Sequence, residues 1–249
     1  MTTVLFPPAP VSTWLVPLDD TADGVVASLR LARPEGDPAS WLDADERVRA
    51  ARLHDATDRH RWLISHVALR LLLGASLEVH PSAVEVVREA CPRCGGPHGR
   101  PALAPGRPLR FSLSRSEGHA LIALRRGLDV GVDLETASPT PAATATTGPS
   151  ASDGLARWVR TEALLKSTGE GLARDPDAVT LRPLAPGVWG EHDVADETYG
   201  TDEDAGGPDV GPARTVADLA LPGPFVAAVA GPGLDRARVR VHLPVTAAA

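Results

Sequence analysis

The chain has 249 residues, 43% of them hydrophobic and 23% charged, with a formal net charge of −7. That composition is ordinary for a globular protein, and aromatics at 4% make the expected core mostly aliphatic. No apolar run is long enough to span a bilayer, no basic region leads an apolar stretch at the N-terminus, and two cysteines make no disulfide framework. The expectation is a cytoplasmic protein with no membrane or nucleic-acid partner.

The charge is unevenly divided. Segment 191–211 holds Glu191, Asp193, Asp196, Glu197, Asp202, Glu203, Asp204 and Asp209 and no Lys or Arg, so the rest of the chain is near neutral. It reads as a disordered acidic loop. The basic side chains are all arginine except Lys166. A single lysine in so biased a chain invites a chemical reason.

Strands are expected near residues 12–17 and 25–31, with Trp14 and Leu15 in the core. From Trp41 the pattern becomes helical, and Asp43 or Asp45 can cap a helix with Glu46 in its first turn. A second helix is expected over residues 59–73, burying Trp62, His66, Leu69 and Leu73 and stopping at Gly74. Arg59-His60-Arg61 near its start either meets a phosphate or forms a solvated face. Residues 83–88 read as a strand. Cys91-Pro-Arg-Cys94-Gly-Gly-Pro-His98-Gly-Arg100-Pro101 follows. Its two cysteines and histidine are half of a zinc site with no second pair to close it, which would make the chain a small zinc-binding interaction protein. The preferred reading is a Gly/Pro loop that presents Arg100.

Residues 111–114 and 119–125 read as strands, and with residues 129–135 they make an expected antiparallel meander. In that last stretch Val130, Val132 and Leu134 face one side, and Asp129, Gly131, Asp133 and Glu135 the other. Carboxylates two residues apart repel unless a cation sits between them, and the glycine beside them admits a close neighbour. A solvated edge strand shows the same pattern. Residues 136–154 are a low-complexity connector. The helix after it has Leu155, Trp158 and Leu165 as its expected inner face. Glu162 and Lys166 lie four apart on it, either in a site or as a surface ion pair. Short strands near residues 179–181, 187–189, 214–220, 224–230 and 236–243 complete the chain. The similar succession on both sides of the connector points to a duplicated α+β unit.

Four stretches, in order, carry a resemblance. Gly99-Arg100-Pro101 is like a G-K-P loop. Phe111-Ser112-Leu113-Ser114-Arg115-Ser116 is like F-N-x-S-H-S. Gly131-Val132-Asp133-Leu134-Glu135 is like G-x-D-I-E, and Trp158-Val159-Arg160-Thr161-Glu162-Ala163-Leu164-Leu165-Lys166 is like W-x-x-K-E-A-x-x-K. Together they resemble the 4′-phosphopantetheinyl transferases of the surfactin-synthetase-activating type, over roughly residues 41–232. The resemblance implies an α+β fold of two similar halves related by pseudo-twofold symmetry. Residues 1–136 would form the first half, 137–154 the connector, and 155–249 the second half with its acidic loop.

It also implies an enzyme that moves the phosphopantetheine arm of coenzyme A to a serine of an acyl or peptidyl carrier protein. Such carriers serve polyketide or nonribosomal peptide synthases in secondary metabolite biosynthesis, and the enzyme is a monomer. Asp133, Glu135 and Glu162 would hold Mg²⁺. Glu162 and Lys166 would be catalytic, and Arg61, Arg100, Ser114, Arg115 and Lys166 would bind coenzyme A. Among the departures from the pattern, Arg115 replaces the histidine, Thr161 the first lysine and Ser112 the asparagine. Arg115, Thr161 and the thin connector also motivate a second reading, a homologue that binds coenzyme A or a carrier without turnover.

Overall fold

The computed structural model describes residues 10–29, 31–137, 151–192 and 213–244. Most of the low-complexity connector and of the acidic loop therefore lies outside the described residues. The chain enters through β1 (Val11–Pro17) and α1 (Ala22–Ser28). The second strand expected from sequence is this helix. The β-branched pair Val25-Val26 favours a strand locally, but both valines are buried, Val25 in the core with Ile64 and Leu72 and Val26 with Trp41, Val67 and Leu71. The Thr21 hydroxyl accepts the Gly24 N–H at 3.0 Å and starts the helix.

Helix α2 (Ala44–Ala51) is capped by Asp43, which exchanges hydrogen bonds with Glu46 in a capping box. Helix α3 (Ala56–Leu77) runs through Gly74 rather than stopping there. Gly74 instead lets the chain fold back: a Cβ would lie 2.8 Å from the Val79 carbonyl oxygen and 3.2 Å from Pro81 N. Glu78, at φ 57°, ends the helix. The fully buried Arg70 ties these pieces together. Its guanidinium donates to Asp43 and Glu46, each at 2.6 Å, and to the carbonyls of Pro81 and Val84. A buried guanidinium needs that full set of acceptors.

Strands β2 (Val86–Arg88) and β3 (Pro101–Leu103) form a small hairpin-like pair. Next come β4 (Leu109–Ser116), β5 (His119–Arg126), β6 (Gly131–Thr136) and helix α4 (Ala151–Thr168). Strands β7 (Leu181–Ala185), β8 (Val188–Glu191), β9 (Arg214–Asp218), β10 (Phe225–Pro232) and β11 (Val239–His242) follow. One sheet has the order β11-β1-β5-β4 and the other β6-β10-β9-β8-β7.

Four layers result. Helix α3 packs on one face of the first sheet through Ile64, Ala68, Leu72, Phe111 and Ile122. The two sheets meet across Leu15, Leu121 and Ala123 on one side and Val132, Leu134 and Val229 on the other. Helix α4 covers the outer face of the second sheet through Val159, Ala163, Leu164 and Leu165. Trp158, expected inside, is 42% exposed, and Leu155 is only half-buried. The inner face is set one residue further along, where small Ala163 allows close contact.

The expected meander holds only for β4 and β5, which pair antiparallel from Leu109↔Arg126 to Ser116↔His119. The other edge of β5 is taken by β1, so β6 leaves the sheet and pairs with β10, with Asp133 opposite Ala228. Strand β11 in turn joins the first sheet, parallel to β1. Each stretch of chain flanking the connector thus lends a strand to the other's sheet.

His66, on α3, stacks on Trp62 at 3.6 Å, and its Nδ1 lies 2.9 Å from the Trp62 carbonyl oxygen. Burial lowers its pKa from 6.5 to about 4, with the Arg115, Arg49 and Arg70 charges acting in the same direction. The folded state therefore keeps His66 neutral while the unfolded chain takes up a proton as pH falls through 6.5. This contribution to stability is complete above pH 6.5 and is lost progressively toward pH 4. His66→Gln should flatten that part of the profile. Urea midpoints of both proteins across this pH range test it, and parallel curves would contradict the assignment.

Candidate functional site

The candidate site is built where β4, β6 and α4 meet. Alternation along β4 turns Ser112, Ser114 and Ser116 toward β6, while Phe111 and Leu113 face α3. Among the described residues, the edge of β6 away from β10 has no strand beside it. The serine hydroxyls complete it: Ser112 Oγ accepts the Val132 N–H at 3.1 Å, and Ser116 Oγ accepts the Thr136 N–H at 3.0 Å. Ser114 Oγ donates to Asp133 Oδ1 at 2.7 Å, and Ser116 Oγ to Glu135 Oε2 at 2.9 Å.

On the opposite side α4 lies directly on β6. A Cβ on Gly131 would sit 2.1 Å from the Ala163 carbonyl oxygen and 2.4 Å from Ser167 N. This close approach is the neighbour for which a glycine is required. It places the next turn of α4 over Asp133, so that Lys166 Nζ donates to Asp133 Oδ1 at 2.6 Å and to Ser114 Oγ at 3.2 Å. Glu162, one turn earlier, shares the field of Lys166, Asp133 and Glu135. Burial raises its pKa above the ordinary carboxylate value. Lys166 opposes that shift, and the charges of Asp133 and Glu135 add to it.

Asp133 is 3% exposed. Its Oδ2 and Glu162 Oε1 are buried without a hydrogen-bond partner among the described residues. Two orphaned carboxylate oxygens are costly in a folded protein and are a common mark of a ligand or ion position. The acids are not drawn tightly together, however. The group of metal-ligating side chains whose donor atoms all meet within 4.8 Å among the described residues is Cys91, Cys94 and His98.

The arginines lie elsewhere. Arg61 pairs in a fork with Asp19, at 2.6 and 3.1 Å, beside Gly118 in the β4–β5 turn. That turn follows Ser116, the partner of Glu135. Arg100 lies beyond the other end of β6, donating to Glu89, to Asp129 and to the Ser167 carbonyl at the C-terminus of α4. Arg115 is on the opposite face of β4 from Ser114, close enough to Arg49, Asp58 and His66 to share their fields. The structure thus brings together Ser114, Asp133, Glu135, Glu162 and Lys166, and leaves Arg61, Arg100 and Arg115 around them. Thr161 is buried at 3% exposure.

Ser116, part of the F-N-x-S-H-S stretch, and Asp129, part of the carboxylate face, were assigned no role from sequence. Asp129 collects Arg100 at 2.7 Å, Arg110 at 3.6 Å and Arg214 at 3.8 Å. Its place on the Gly131–Asp133 face of the strand was the available signal. Ser116 was signalled only by the every-second-residue serines of β4.

No family model matches the chain. It is 28% identical over 209 residues to the 4′-phosphopantetheinyl transferase HetI of Nostoc sp., an alignment covering 71% of this chain and 76% of the relative. It is also 28% identical over 151 residues to slr0495 of Synechocystis sp., named provisionally for the same activity. That alignment covers 53% of this chain and 58% of the relative. No described helix is long and apolar enough to cross a membrane.

Lys166 is the cation that offsets Asp133. Replacing it with Met leaves a buried carboxylate unpaired and should cost about 3 kcal/mol. Adding Asp133→Asn to Lys166→Met should recover more than half of that loss. Chemical denaturation of the two singles and the double checks this, and simple additivity of the singles would show that the pair is not coupled.

Proposed function

We propose that the chain is a 4′-phosphopantetheinyl transferase of the surfactin-synthetase-activating type, which transfers the phosphopantetheine arm of coenzyme A to a serine hydroxyl of a carrier protein. The observation that carries this reading is the convergence on Asp133 of residues far apart in the chain, Ser114, Glu162 and Lys166, beside two orphaned carboxylate oxygens. The names of the two relatives support it. Carriers of polyketide or nonribosomal peptide synthases are the proposed partners, with a cytoplasmic monomer as the working form.

The donor set suits a hard divalent cation: carboxylate oxygens, two of them buried without partners. Asp133, Glu135 and Glu162 would hold Mg²⁺, which supplies neutralising charge at the pyrophosphate of coenzyme A. The remaining work belongs to side chains. Lys166, a compact ammonium on a flexible stem, would bind a phosphate oxygen. Ser114 holds both Asp133 and Lys166 in place. Glu162, whose remaining oxygen is not needed by the cation, would accept the proton of the carrier serine. The serine oxygen bonds to the phosphorus that bears the pantetheine arm. The bond from that phosphorus to the bridging oxygen breaks, and adenosine 3′,5′-bisphosphate departs.

Arg115 and Thr161, which stand where the resemblance has a histidine and a lysine, motivate a second reading in which coenzyme A or a carrier is bound without turnover. Purified chain with apo carrier protein, coenzyme A and Mg²⁺ separates the two by intact mass of the carrier. Addition of phosphopantetheine is expected. No addition to any of several carriers, with coenzyme A binding still seen by calorimetry, would sink the transferase reading. Asp133→Ala and Glu162→Ala should each lower the rate by about 10²-fold or more with the fold intact. Lys166→Arg should also be impaired, because a planar fork does not replace a compact ammonium. Full activity of that variant would remove Lys166 from the mechanism.

A further inference from the structure

Segment 91–100 is not absorbed by the candidate site. It forms the loop between β2 and β3, and its two cysteines are free thiols, Cys91 buried and Cys94 exposed. The loop is folded back on itself in a definite way. Cys91 N–H donates to the Gly96 carbonyl and Gly95 N–H to the Cys91 carbonyl, each at 2.8 Å, and Gly95 makes the turn at φ 71°. Gly96 N–H points at Cys94 Sγ, at 3.4 Å. A backbone donor aimed at a cysteine sulfur stabilises the thiolate, the form in which cysteine binds a metal.

The third member arrives from further along the loop. His98 Nε2 lies 2.9 Å from Cys94 Sγ, and the three donor atoms, one from each side chain, all lie within 4.8 Å of one another. Gly96 leaves the space between them open. A Cβ there would come within 3.0 Å of the His98 ring and 3.3 Å of Cys94 Sγ. Tetrahedral zinc with Zn–S near 2.3 Å and Zn–N near 2.0 Å needs sulfur and nitrogen about 3.6 Å apart. The Cys94–His98 pair therefore has to open by a fraction of an ångström, in a surface loop where both side chains are exposed.

We propose that Cys91, Cys94 and His98 form a zinc site with three protein ligands and the fourth position taken by water. Two thiolates and an imidazole select zinc over magnesium or calcium, which take oxygen ligands. A second cysteine pair, whose absence argued against zinc in the sequence, is not required for a three-ligand site. The position of the loop gives the site a purpose. It closes directly onto Gly99 and Arg100, where Arg88 holds the Gly99 carbonyl at 3.1 Å and Glu89 N–H the Arg100 carbonyl at 3.1 Å. A bound ion would fix the loop that delivers the Arg100 guanidinium to the end of α4.

The site stands apart from the transfer reaction and is tested without it. Full-length chain, expressed with zinc and purified under reducing conditions, should carry about one zinc per chain by elemental analysis. Cys94→Ser and His98→Gln, both at exposed positions, should lower zinc affinity by more than the 10–100-fold typical of losing an outer-shell partner (an approximate range). Asp133→Ala should leave the zinc content unchanged, which distinguishes this site from the carboxylate cluster. Cobalt(II) titrated into the metal-free reduced chain should give the sulfur-to-metal charge-transfer band and strong visible bands of a tetrahedral thiolate site. Far-ultraviolet circular dichroism confirms that each variant is folded. No stoichiometric zinc after reconstitution of the reduced chain would overturn the proposal. So would zinc that persists in both loop variants, a cobalt spectrum without thiolate bands, or a Cys91–Cys94 disulfide that forms in place of metal binding.

Discussion

The contact on which the rest depends is the approach of the α4 backbone to the β6 backbone at Gly131. With no side chain between them, the Ala163 carbonyl and the Ser167 amide come closer to the strand than any Cβ would permit. Helices normally stand off a sheet by the length of the side chains between them. Here the helix is seated on the strand at one point, and that point sets the reach of the residues on either side. Lys166 can touch Asp133, and Glu162 can share its field, because the helix is low over this part of the sheet. A larger residue at position 131 would lift the helix and pull Lys166 away without altering a single charged group.

The other side of β6 is held differently. An exposed strand edge invites pairing with another chain, and proteins cover or interrupt such edges. Strand β6 is covered by hydroxyls from a strand of the other sheet, so that Ser112, Ser114 and Ser116 act at once as edge protection, as a seam between the sheets and as partners of the carboxylates. The geometry of the acids is therefore tied to the relative placement of the two sheets. The electrostatics are left incomplete: one ammonium serves three nearby carboxylates, and two of their oxygens are buried without partners among the described residues. Such incomplete compensation is found where a ligand supplies the missing charge.

Much of the site was legible in the sequence because it is short-range. The alternation that put Asp133 and Glu135 on one face and Val132 and Leu134 on the other is a property of any strand, and the four-residue spacing of Glu162 and Lys166 a property of any helix. What could not be read was pairing. Nothing local distinguishes a third meander strand from one that departs to another sheet, and β6 departs because β1, more than a hundred residues earlier, already occupies the edge of β5. The same limit explains α1, where Val25 and Val26 follow a partner surface rather than their own preference. It also explains Trp158: the inner face of α4 is decided by Gly131 on a different element, so the largest apolar side chain of the helix is turned outward. At the Cys91 loop the sequence names the two cysteines and the histidine, but carries no information on whether His98 folds back to meet Cys94.

The exchange of strands has a consequence for how the molecule comes into being. Strand β11 lies parallel to β1, with Thr13 Oγ1 donating to the Arg240 carbonyl across 227 positions of sequence. On a ribosome that synthesises the chain from the N-terminus, the first sheet waits with an open edge at β1 until β11 has emerged. Strand β6 waits likewise for β10. Completion of each sheet therefore depends on a strand from the far side of the connector. Pairings of such long sequence separation are slow to form and leave edges uncovered in the interval. Each half of the chain by itself would lack a strand that the other provides.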